Sequence, residues 1–267
     1  MRLLAFLLLT VVWFVCCPPA QAYAVTNAAP ALVAEAQTPA TTDQANILEL
    51  EKAASTPYAG TSWSIFNHRG SGLFILIWGI TALLVGLQYP RKTWLRFVPP
   101  LALFGLVEFL LLRNDPMTWP LGPIGFWLSM RSPEVFQHRI FIFIILCMAI
   151  TELLRAADRL PPFLAKYALP LLALTASVLI LFHQHAPAMQ VAMPNMSMPM
   201  PPGPQPNTME ASMATIKREH TMMATVGFGF VVTKLLTDTG RLPARLGNIL
   251  WPALAIATGL ILTGYTE

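Results

Sequence analysis

Histidine and methionine are the residues of this chain whose chemistry stands out. Of its five histidines, His68, His138 and His220 each stand just before an apolar run, and a threonine follows thirteen residues later (Thr81, Thr151, Thr233). Three imidazoles suit copper or zinc if their rings converge. Sequence fixes their depth but not their facing, and a neutral imidazole is also at home at a membrane interface. The other two, His183 and His185, open a stretch carrying Met189, Met193, Met196, Met198, Met200, Met209 and Met213. On a helix His183 and His185 would point nearly opposite ways, whereas in extended chain they share a side. Prolines at 187, 194, 199, 201, 202, 204 and 206 argue against a helical core stripe. Thioethers select Cu(I), and exposed methionines are oxidisable, so a role as mere apolar filling is uneconomical; the competing reading is a low-complexity linker. Met222 and Met223 follow His220, and the three-residue spacing puts Met223 on the face of His220.

Other chemistry is sparse. The chain shows no nucleotide-binding loop, nucleophile elbow, paired-carboxylate signature or basic–aromatic stripe, so a non-enzymatic protein is expected. The net charge of +4 comes from scattered basic residues, which gives no sign of nucleic-acid binding. Cys16 and Cys17 lie in the N-terminal apolar run and Cys147 in a later one, so neither a disulfide framework nor a paired-thiolate metal site is expected in a processed chain. Glu108 and Glu152 lie inside apolar runs. Acids at membrane depth are functional candidates. Glu108 could pair with a histidine or reach the interface near Arg113, and Glu152 could pair with Arg155 or with Lys234.

The elements that must position these residues are membrane helices. Of 267 residues, 55% are hydrophobic and only 11% charged, against about a quarter charged in soluble domains. Residues 1–22 read as a secretory signal, with Arg2, an apolar core from Leu3 to Val15, and Ala20-Gln21-Ala22 at the cleavage site; a short uncleaved anchor is the alternative. Residues 23–66 read as a loosely ordered extracytoplasmic leader. The membrane domain, 67–267, holds six apolar runs near 71–89, 94–112, 138–156, 165–183, 220–237 and 248–265, each close to the ~20 residues of a span. Ser132, Pro133 and Glu134 form a helix start. An outer cap loop spans 113–137, and the Met/Pro-rich outer loop spans 186–214.

The runs repeat. The second and third copies align at an offset of 82 residues, with Arg159-Leu160-Pro161 over Arg241-Leu242-Pro243; the first aligns at 70, then 71 past the turn. Pro99, Pro170 and Pro252 start the second arms, followed by Leu101-Ala102, Leu172-Ala173 and Leu254-Ala255. The expected fold is therefore all-α: six transmembrane helices as three repeated hairpins in parallel orientation. Nine basic residues fall in the three short loops on one side and seven in the much longer segments on the other. The positive-inside rule then agrees with the signal peptide and puts both termini and all five histidines outside the cytoplasm.

One segment, Asp115-Pro116-Met117-Thr118-Trp119-Pro120-Leu121-Gly122-Pro123-Ile124-Gly125-Phe126-Trp127, followed by Ser132-Pro133-Glu134-Val135-Phe136-Gln137-His138-Arg139, resembles the CopD-like copper-resistance membrane proteins. The resemblance covers about residues 67–267 and implies a periplasm-facing protein of the bacterial inner membrane, the cell membrane expected, that handles copper, moving it across the membrane or receiving it from a periplasmic carrier. Only His138 carries over through the motif itself.

The sequence therefore points to a polytopic protein that binds copper, Cu(I) above all, at its extracytoplasmic face, with the lipid bilayer and a copper carrier as partners. A haem protein using two of His68, His138 and His220 as axial ligands and a structural membrane subunit with a disordered Met-rich loop are the rival readings.

Overall fold

A computed structural model describes residues 60–88, 93–113, 118–122, 125–130, 132–183 and 206–266. The expected signal, most of the expected leader, His185 and Met189 through Met200 lie outside these residues. Among them the chain is helical, with no β-strand. The helices are α1 (Gly60–Gly86), α2 (Val98–Arg113), the single turn α3 (Phe126–Ser129), α4 (Pro133–Ala156), α5 (Pro162–Leu181), α6 (Pro206–Asp238) and α7 (Ala244–Thr263).

Four stretches are long and apolar enough to cross a membrane: Trp63–Gly86, Thr93–Arg113, Pro162–Leu181 and Ala244–Thr263. This is a multi-pass membrane protein. Helices α4 and α6 are not among the four.

Local sequence explains most helix starts. Ser132 accepts from the Val135 amide at 3.5 Å, Pro133 occupies the first turn, and Glu134 lies by the positive end of the dipole, as its sequence anticipates. Pro170 and Pro252 sit inside α5 and α7. In the first copy Pro99 and Pro100 are adjacent, and the run divides into a 3-10 turn at Thr93–Phe97 and α2. Two missing amide donors in succession account for that break.

Two boundaries differ from the sequence reading. Helix α1 begins at Gly60, inside the expected leader, so His68 lies more than two turns into a helix. Helix α6 begins at Pro206 and takes in Met209 and Met213. Proline is tolerated in a first helical turn, and no proline follows Pro206 until Pro243, so the Pro-rich composition stops short of these two methionines.

Glycines set the helix packing. Gly72, Gly79 and Gly86 recur every seven residues along α1, and a Cβ at each would meet Thr263, Ile256 and Asn248 of α7. The descending partner numbers make the pair antiparallel, and the small residues let the two backbones approach closely. Gly70 lies against Phe109 and Gly105 against Phe74, which makes α1 and α2 antiparallel too. Gly227 of α6 meets Ser177 of α5, and Gly229 faces Leu254 of α7. Helix contacts run α1–α2, α2–α4, α4–α5, α5–α6, α6–α7 and back from α7 to α1.

Positions related by the offsets of 70 or 71 and 82 are buried together. Trp78, Met148 and Phe230 are buried, as are Gly79, Ala149 and Val231. In the second arms so are Pro99, Pro170 and Pro252, then Ala102, Ala173 and Ala255, then Leu106, Ser177 and Gly259.

Charged groups pair at the end of the bundle opposite the histidines. Asp238 accepts from Lys234 at 2.6 and 2.8 Å and from Arg155 at 3.3 Å. Glu152 contacts Arg155 at 3.2 Å, one of the two partners its position suggests. Arg96 reaches Asp158 at 2.8 Å. The Lys234 ammonium lies 4.8 Å from the Trp251 ring centre, a cation–π contact.

Candidate histidine site

Four histidines meet at one end of the bundle, each brought by a different helix. His68 comes from the third turn of α1, His138 from the second turn of α4 and His220 from mid-α6, while His183 follows the C-terminus of α5. They form a row. The ring centres of His138 and His183 are 4.9 Å apart, those of His183 and His220 5.1 Å, and those of His220 and His68 6.3 Å. His183, whose equivalents at the same offsets are Leu112 and Tyr265 rather than histidine, is the link between His138 and His220. Met223 is buried one turn after His220, on the expected face.

Hydrogen bonds assign the proton on two of the rings. His68 Nδ1 lies 2.8 Å from the Ser64 carbonyl oxygen. A carbonyl only accepts, so Nδ1 carries the proton and Nε2 is the basic nitrogen of the neutral ring. His183 Nδ1 lies 2.8 Å from Gln137 Oε1, and Gln137 Nε2 donates to the Phe182 carbonyl at 3.2 Å. The second bond fixes which way the amide faces, so Gln137 accepts from His183 and again leaves Nε2 as the basic atom. Anchoring one nitrogen of an imidazole through a hydrogen bond while the other is basic is the usual arrangement of metal-binding histidines.

The row also has a cover that sequence reasoning missed. Tyr265 is fully buried, stacks on His68 with ring centres 3.9 Å apart and planes 15° apart, and lies 6.4 Å from His220. Residues next to the histidines hold this C-terminal segment down. Arg69 Nε donates to the Tyr265 carbonyl at 3.2 Å, and Thr266 donates from Oγ1 at 3.2 Å and from its amide at 3.4 Å to the buried Glu219 carboxylate. The adjacency of Arg69 to His68 and of Glu219 to His220 was visible in the sequence, but their joint partner was not.

No family model, curated protein or solved structure matches this chain.

The spacing can be tested against a metal ion. Two imidazoles on one tetrahedral ion, at ~2.0–2.1 Å per bond, place their ring centres about 5 Å apart. The His138–His183 and His183–His220 separations meet that figure, and His68 stands farther out. The nitrogens, however, do not all face one point: among the described residues no group of three His, Cys, Asp or Glu side chains stands ready to hold an ion.

Glu108 does not join the site. It is exposed on α2. The segment before α4 contributes packing instead, with the Arg139 guanidinium 4.4 Å from the Phe126 ring centre and bonded to the Trp119 carbonyl at 3.1 Å.

Proposed function

We propose that this protein binds copper through the histidine row at the extracytoplasmic end of a six-helix membrane domain, as a copper-handling protein with the character of the CopD-like family it resembles. The observation that carries this reading is the row itself, with neighbouring ring centres 4.9 and 5.1 Å apart. Imidazole suits copper, and each of these neighbouring pairs of rings stands at the separation that two ligands of one ion require. His138, His183 and His220 are the proposed ligands, with His68 and Met223 flanking them. The thioethers of Met189, Met193, Met196, Met198 and Met200, with His185, would capture Cu(I) and deliver it to the row from a periplasmic carrier.

The six-span, three-hairpin architecture belongs to the same proposal. Its support is the burial of equivalent positions in all three copies and the chain-order closure of the helix contacts. Three parallel hairpins about one axis bring their equivalent histidines to one end, as the row requires. The positive-inside bias of the sequence gives that end its extracytoplasmic assignment.

The test is the metal content and spectrum of the full-length protein purified in detergent after growth with copper. About one copper per chain is expected, falling by tenfold or more on exchange with a Cu(I) chelator in a His138→Ala, His183→Ala, His220→Ala variant. A Soret band would replace this reading with haem ligation, and wild-type copper retention in the triple variant would remove the row as its site.

A further inference from the structure

A groove of about 570 Å³ opens on the side of the bundle between α1 and α2, lined by Phe66, Arg69, Leu73, Phe74, Ile77 and Phe109 among others. Its floor is constructed. The rings of Phe66, Phe109 and Phe74 follow one another at 6.0 and 5.7 Å, and Gly70 and Gly105 clear the space that Phe109 and Phe74 occupy. Its walls are apolar yet open: Phe66, Leu73 and Ile77 are 50%, 58% and 46% exposed. The volume falls within the ~300–1,000 Å³ of small-molecule sites.

Charge is confined to one end. Residues 70 to 86 of α1 contain no ionisable residue, and their ~25 Å of helix nearly spans a ~30 Å hydrocarbon core. Arg69, immediately before that stretch and exposed, therefore stands at headgroup depth. Its Nε is engaged by the Tyr265 carbonyl, which fixes the guanidinium at the mouth of the groove. A second guanidinium, Arg113, lies 4.8 Å from the Phe66 ring centre and 3.9 Å from that of Trp63. From Arg69 to Ile77 the groove runs eight residues along the helix, or ~12 Å, directed into the membrane.

We propose that this groove binds a phosphate-headed membrane lipid, with its phosphate on Arg69 and one acyl chain lying along Leu73, Phe74 and Ile77. Guanidinium is the side chain best matched to a phosphate, and an apolar channel beneath it at membrane depth accepts a hydrocarbon chain. Arg69 also grips the backbone of Tyr265, which covers His68, so lipid occupancy and closure of the histidine site share one residue.

Native mass spectrometry of the full-length protein, delipidated and then supplied with phosphatidylglycerol, tests this. One retained lipid per chain is expected. Arg69→Gln should lower retention about tenfold, Arg69→Lys should keep most of it, and Ile77→Trp should displace the chain while the far-ultraviolet spectrum stays helical. Equal retention of phosphatidylglycerol by wild type and Arg69→Gln would overturn the proposal. So would equal retention of diacylglycerol, which lacks the phosphate, or full displacement of the lipid by inorganic phosphate alone. A dimer without lipid adducts would assign the groove to a second copy of the chain instead.

Discussion

Gln137→Leu separates a built histidine site from a chance meeting of rings. Gln137 makes two bonds, accepting from His183 Nδ1 at 2.8 Å and donating to the Phe182 carbonyl at 3.2 Å. Leucine keeps comparable bulk and removes both. Each bond contributes ~0.5–1.5 kcal/mol to folding, and Gln137 is only half-buried, so the fold should survive. The effect on metal is larger in kind. Without the acceptor, the proton of His183 is free to occupy either nitrogen and the ring to turn, so Nε2 is no longer held basic between His138 and His220. Loss of such an outer partner typically costs 10–100-fold in metal affinity, or ~1.4–2.7 kcal/mol. Gln137→Glu keeps the acceptor and adds charge, so it should bind at least as tightly as wild type. Competition with a Cu(I) chelator of known affinity reads the series, with the expected order Gln137→Glu, wild type, Gln137→Leu, His183→Ala from tightest to weakest. Wild-type affinity in Gln137→Leu beside a weakened His183→Ala would refute the positioning argument. Wild-type affinity in His183→Ala would refute the ligand assignment itself.

At the opposite end, Asp238→Ala strands the Lys234 ammonium, which is 3% exposed; ~3–5 kcal/mol of destabilisation is expected, with most of it recovered in the double variant with Lys234→Met, as read by denaturant unfolding in detergent. Failure of the double variant to recover would assign the loss to Arg155, the other donor to Asp238. Gly227→Ala places a methyl group against Ser177 Oγ and should cost ~1–3 kcal/mol by overpacking; adding Ser177→Gly should restore stability in the same assay, and no restoration would put the α5–α6 contact elsewhere.

The histidine end was legible in the sequence to the extent that its periodicity was helical. Spacing placed His68, His138 and His220 at matching depth, and the start of α4 could be read to the neighbourhood of Pro133 because Ser132, Pro133 and Glu134 are local signals. What spacing could not carry was azimuth and loop geometry. His183 lies between two repeat-equivalent rings because α5 ends at Leu181, two residues before its apolar run does, leaving Phe182 and His183 to turn toward Gln137. Tyr265 reaches His68 because Glu219 and Arg69 capture the C-terminal backbone, and capture of main-chain atoms leaves no pattern in side-chain identity. The start of α6 at Pro206 was hidden because composition around it is dominated by proline, a poor guide to a helix that begins at the last of them.

Buried polar side chains lie at both ends of the bundle. On the three-hairpin reading, positions 68, 138 and 220 all hold histidine, while fourteen residues on, nearly four turns deeper, the buried set at 82, 152 and 234 holds alanine, glutamate and lysine. Equivalent positions about a common axis approach one another, and like charges in a low-dielectric interior repel strongly. Three carboxylates or three ammonium groups cannot share such a level, so identity there has given way to opposite signs, which the Asp238 and Arg155 contacts complete. Neutral imidazoles escape that restriction. They can be identical, crowd to about 5 Å and gain from it when a cation sits between them. The two ends of the bundle thus differ in kind: four histidine rings gather at one, and side chains of opposite sign pair at the other.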